Sequence, residues 1–160
     1  MKKAYGVMTV ALVAFANPTG LEAQKGTGSA TGVAREQVKP ALETLSGTVT
    51  SIKTGACEKT TGRAVNGTHL LLQTPDKKEV NLHLGPSLAD EVKQVLQSVK
   101  SGSHVEAVAF HTSRLPADQL IAKSVTVEGK TLQLRDENLR PTWAGTFKGS
   151  GGGKGTGPCF

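Results

Sequence analysis

The chain has 160 residues, 37% of them hydrophobic and 4% aromatic, with a formal net charge of +6. That length allows one domain plus tails, and the charge is moderate rather than polybasic, so it does not by itself imply a nucleic-acid or membrane partner. Large apolar side chains are sparse in residues 17–40 and 144–160, which leaves roughly 90–100 residues for one modest core.

Residues 1–23 have the pattern of a signal peptide: Lys2 and Lys3, then an apolar run from Ala4 to Ala16. Asn17-Pro18 ends that run, too early for a membrane span of about 20 apolar residues. Cleavage is expected after Ala23, at Leu21-Glu22-Ala23, ahead of the other small-residue point after Ala16. The mature protein is then periplasmic or secreted, with no membrane span. It keeps 17 basic and 12 acidic residues, because Lys2, Lys3 and Glu22 leave with the signal. Residues 24–44 mix Gly, Ser, Thr and charge without apolar periodicity and read as a flexible linker.

The expected domain covers residues 45–145. Its first strand is Leu45–Lys53, rich in β-branched residues, with Gly47 placed for a bend or bulge. A long loop over 54–67 leads to a second strand, Thr68–Thr74, and a third, Glu79–Leu84. Alternation puts Leu70, Leu72, Val80, Leu82 and Leu84 on one face and His69, Leu71, Gln73, Asn81 and His83 on the other. Directly paired residues must share a face. Pairing Leu72 with Leu82 and Leu70 with Leu84 satisfies this, with an odd loop centred on Lys77.

A helix is expected over Leu88–Val99, with Ser87 as N-cap and Asp90 and Glu91 in the first turn. Leu88, Val92, Val95, Leu96 and Val99 make its apolar stripe. Strands follow at His104–His111, Gln119–Val127 and Thr131–Leu134, and residues 146–160 form a Gly-rich flexible tail. Three strands, a helix, then two strands is the order of a mainly β, five-stranded OB-like barrel with its helix between strands three and four.

Gly47-Thr48-Val49, Gly102-Ser103-His104-Val105-Glu106-Ala107, Leu134-Arg135-Asp136-Glu137-Asn138 and Arg140-Pro141-Thr142-Trp143 resemble segments of small exported bacterial OB-fold-like proteins, the magnetosome-associated MamS-type proteins among them. The likeness covers about residues 45–145. It implies export and an OB-like fold and brings no catalytic residue with it. Leu139 stands where a turn glycine is expected before Arg140.

His69 and His83 share the non-core face of strands two and three, as diagonal neighbours in the register above, and could share a metal ion. Gln73 and Asn81 lie on the same face, and Arg63 and Arg114 flank it on loops; these four are the candidate ligand-binding residues. Surface exposure is the simpler expectation for both histidines. Cys57 and Cys159 could form a disulfide outside the cytoplasm. Nucleic acid is disfavoured, because strands two and three carry no aromatic side chain on which bases could stack. The Gly-rich tail fails as a phosphate loop: Lys148 stands at the first glycine position and Gly155 follows Lys154. No Gly-x-Ser-x-Gly or His-Glu-x-x-His motif occurs. The expectation is a non-enzymatic binding protein whose ligand is a metal ion or small molecule, or else an exported protein partner.

Overall fold

A computed structural model describes residues 33–56 and 66–144 of the chain. The expected signal peptide and tail, Arg63, Cys57 and Cys159 therefore lie outside the described residues. A short 3-10 turn at Val33–Arg35 precedes six strands: β1 (Leu42–Ala56), β2 (Asn66–Gln73), β3 (Glu79–Gly85), β4 (His104–Phe110), β5 (Gln119–Val127) and β6 (Lys130–Gln133). The helix α1 (Asp90–Ser98) lies between β3 and β4.

β1 begins at Leu42, three residues before the expected domain start. The segment ahead of it is packed as well. Val33 is buried, and Lys39 Nζ donates to the carbonyl oxygens of Val33, Ala34 and Glu36 at 3.1, 2.7 and 2.8 Å. β1 is long because it serves two neighbours: residues 42–48 pair with β4, and residues 48–56 pair with β2. Gly47 sits at the changeover, where a Cβ would lie 2.8 Å from the Gln73 carbonyl oxygen. Only glycine lets the two backbones approach so closely.

The pairings β1–β2, β2–β3, β3–β5, β5–β4 and β4–β1 close a ring of five strands. Four of these are antiparallel, and the β3–β5 seam is parallel and only three residues long, 81–83 against 119–121. β5 passes one edge from β3 to β6, which pairs with residues 124–127. Inside the ring, Leu70, Leu72, Leu82 and Leu84 meet Val105, Ala107, Leu120 and Val125, and Val92 and Val95 of α1 complete the core. The fold class is thus mainly β with one helix, as expected. No helix among the described residues is long and apolar enough to cross a membrane.

Two local expectations are corrected. The β2–β3 register is Leu70 with Leu82 and Leu72 with Val80, two residues away from the expected pairing. The loop is odd, but centred on Asp76. Lys77 N donates to Thr74 O at 2.9 Å, with Pro75 in the favoured second turn position and Lys77 left-handed at φ 63°. Thr74 N then bonds Lys78 O at 2.9 Å and shuts the hairpin early. The helix starts two residues later than expected. Ala89, not Ser87, holds the extended cap position, and Leu88 is 69% exposed. The Ala89 N to Pro86 O bond (3.0 Å) makes residues 86–89 a turn, so Leu88 never enters the helical phase.

Candidate functional site

The corrected register puts His69 directly opposite His83. Their ring centroids are 4.3 Å apart with a 62° angle between planes, an edge-to-face contact. Neither histidine is a surface group, for exposures are 7% and 6%. The expectation of exposure fails because β3 is not an edge strand. β5 runs beside it, and His83 pairs with Ile121, whose side chain belongs to a second apolar cluster outside the ring with Val33, Phe110, Leu115 and Leu139.

Each imidazole has one amide partner. His69 Nδ1–H donates to Asn81 Oδ1 at 3.3 Å, and His83 Nε2–H donates to Gln119 Oε1 at 2.9 Å. Because the partner atoms are carbonyl oxygens, the bonded ring nitrogens carry the protons and the other two carry lone pairs. Among the described residues, His69 Nε2 is buried with no hydrogen-bond partner. Burial lowers the His69 pKa, with the Asn81 side chain and the Gly55 backbone opposing. Burial, then repulsion from His69, takes His83 down to about 4, against the Gln119 bond; the Arg135 charge lowers it further. Both rings are therefore neutral at pH 7.

Arg135 is the buried cation beside the pair, at 2% exposure. It fills the gap where β5 exchanges β3 for β6. Its Nη1 donates to the carbonyl oxygen of Ala122 and to that of Leu84 (3.4 Å), while Leu134 N and Arg135 N donate to Lys123 O. The guanidinium lies 5.9 Å from the Phe110 ring centre and 5.4 Å from that of Trp143. Burial lowers its pKa to about 9, which leaves it charged at neutral pH. The turn that follows forms without the expected glycine. Leu139 takes φ 63° and buries its side chain in the second cluster, while Asp136 Oδ1 accepts from Asn138 N and Arg140 N, both at 2.9 Å.

Of the expected site residues, His69, Asn81 and His83 come together. Gln73 does not, being exposed at the hairpin end opposite Glu79. Arg114 lines a separate hollow of about 330 Å³ with Glu36, Lys39 and His111, to which no residue of the histidine cluster contributes. His111 is engaged there, its Nε2–H donating to Leu115 O and Pro116 O at 2.9 and 3.1 Å. Sequence reading missed Gln119 and Arg135 as members of the cluster. Gln119 opens a strand that no local pattern places beside β3, and Arg135 was visible only as part of a familiar segment. No group of three or more His, Cys, Asp or Glu that could hold a metal ion occurs among the described residues.

Fold and cluster together define a small, mainly β protein whose five-strand ring carries a neutral imidazole pair at its shortest seam. The model of the MamS/MamX magnetosome protein family matches residues 41–132, more than half of the chain, and the protein belongs to that family. The matched span includes His69, Asn81, His83 and Gln119, and ends before Arg135 and Trp143. No curated protein and no solved structure matches the chain.

Proposed function

We propose that this protein is an exported, non-enzymatic binding protein, an OB-like barrel that takes a metal ion or small ligand where β2, β3 and the start of β5 meet. The ring order and the position of the helix support the barrel reading. Lys2, Lys3 and the run Ala4–Ala16 support export. The observation that carries the site is His69 Nε2, a buried ring nitrogen with no hydrogen-bond partner among the described residues, beside a second imidazole. Buried polar atoms normally have partners, so an unmet one at a ligand-competent face marks a place for a ligand.

The test is the melting temperature of the chain with and without Zn²⁺, Cu²⁺ and Ni²⁺, compared with His83→Ala. A ligand at 100 times its Kd stabilises the folded state by about 2.7 kcal/mol. A metal-dependent rise that His83→Ala abolishes supports the site. No shift with any ion refutes metal binding there. The alternative, a docking module for an exported protein, draws on the exposed Val38 and Leu42 at 83% and 48%. Such a module would keep its partner in His83→Ala.

A further inference from the structure

We infer that the chain self-associates through the free edge of β1: two copies pair their Leu42–Ser46 segments antiparallel, about a two-fold axis at Thr44. The inference stands apart from the ligand reading above, since His69 pairs with Lys53 at the other end of β1.

The first observation is an unpaired edge. β1 pairs with β4 over 42–48 on one side and with β2 over 48–56 on the other. Among the described residues, no strand lies beside 42–46 on the β2 side. Val49 N donates to Ser103 O at 2.9 Å on the β4 side. Backbone groups along an antiparallel strand alternate between its two sides. Gly47, Leu45 and Glu43 therefore direct theirs to β4, while Leu42, Thr44 and Ser46 direct N–H and C=O outward. β2 does not extend to meet them, because the Lys77 N to Thr74 O turn bond folds the chain back directly after Gln73.

The second is the character of that edge. Leu42, Glu43 and Thr44 are all exposed, and Leu42 keeps 48% of its surface in water. Native edges are commonly guarded by proline, lysine or a bulge. The stretch Leu42-Glu43-Thr44-Leu45-Ser46 has neither proline nor lysine. The register shift of β1 falls later, between Val49 and Ser51.

The third is that one register of this edge fits its own copy. An axis at Thr44 sets Thr44 against Thr44 of the second copy, Leu42 of each copy against Ser46 of the other, and Glu43 against Leu45. All the outward groups then bond, giving about six backbone hydrogen bonds, and no like charges meet. An axis at Glu43 would set the two carboxylates opposite each other, which is destabilising. An axis at Leu45 would leave Leu42 facing Thr48, which is already paired with Gln73. The dimer about Thr44 is isologous and closed. Its sheet runs from β4 through the two β1 strands into β4 of the second copy.

A single strand edge is a small interface, so the dimer is weak and concentration-dependent. The experiment is sedimentation equilibrium of the full chain from about 1 to 500 µM, in a Cys57→Ser/Cys159→Ser background that excludes intermolecular disulfides. A mass rising from monomer towards dimer is expected. Thr44→Pro removes the outward N–H at the axis and leaves the β4 ladder intact. It abolishes the dimer while circular dichroism stays unchanged. Thr44→Lys sets two ammonium groups against each other and weakens association about 5-fold, a loss that about 1 M salt largely restores. If Thr44→Pro fails to fold, Thr44→Lys decides. A chain that stays monomeric throughout, or association that survives the deciding substitution undiminished, overturns the inference.

Discussion

Acidification should weaken this fold through its buried histidines, and His83 sets the scale. In the unfolded chain His83 takes up a proton near pH 6.5; in the folded protein it does so only near pH 4. The folded pKa is depressed, so the unfolded state binds the proton more readily between those values. Stability is complete above pH 6.5 and is lost progressively as the pH falls towards 4. By pH 5 the loss from His83 amounts to about 2 kcal/mol. His69 is also depressed and acts in the same direction. Urea unfolding at pH 8, 7, 6 and 5 measures this before most carboxylates titrate. The control is His83→Gln, which lacks the titrating ring; the residue faces His69 on β2, Gln119 on β5 and the Arg135 charge. The wild type should lose stability more steeply below pH 6.5 than the variant, which keeps only the His69 contribution. Parallel curves for the two proteins would refute the claim that His83 is held neutral by burial.

Gly85 has φ 141°, and a Cβ there would lie 2.5 Å from the Trp143 ring. Gly85→Ala should therefore cost about 2–4 kcal/mol in urea unfolding from strain and overpacking, while Gly55→Ala, with nothing within 4 Å among the described residues, should change stability by less than about 0.5 kcal/mol. Arg135→Met keeps much of the side-chain volume but leaves the Ala122 and Leu84 carbonyls without their donor. A loss of about 2–3 kcal/mol is expected, and hydrogen exchange should report it first at the 81–83 and 119–121 amides of the β3–β5 seam. Leu70→Ala, at a fully buried position, should cost about 2–5 kcal/mol and lower the thermal midpoint accordingly.

Much of the fold was legible because side-chain alternation and helical phase are local properties of the chain. Leu70, Leu72, Leu82 and Leu84 announced their shared face, and all four are in the core. Val92 and Val95 likewise marked the buried side of α1. Parity constrained the hairpin to an odd loop but could not separate registers two residues apart, since both keep every side chain on its face. The Lys77-to-Thr74 turn bond decided between them, and with it whether the two histidines meet directly or diagonally.

The rest belongs to tertiary structure. Nothing within β3 or β5 says that the two strands lie side by side. That contact forms because β1 bends from β4 to β2 and brings the ends of the sheet together. The seam then buries a face that alternation alone marks only as polar, and it supplies Gln119 from 36 residues away. Residue type and spacing thus determined which histidines could share a site. Closure of the ring decided that they are buried, neutral and paired, because burial depends on which strands become neighbours and not on the residues beside them in the chain.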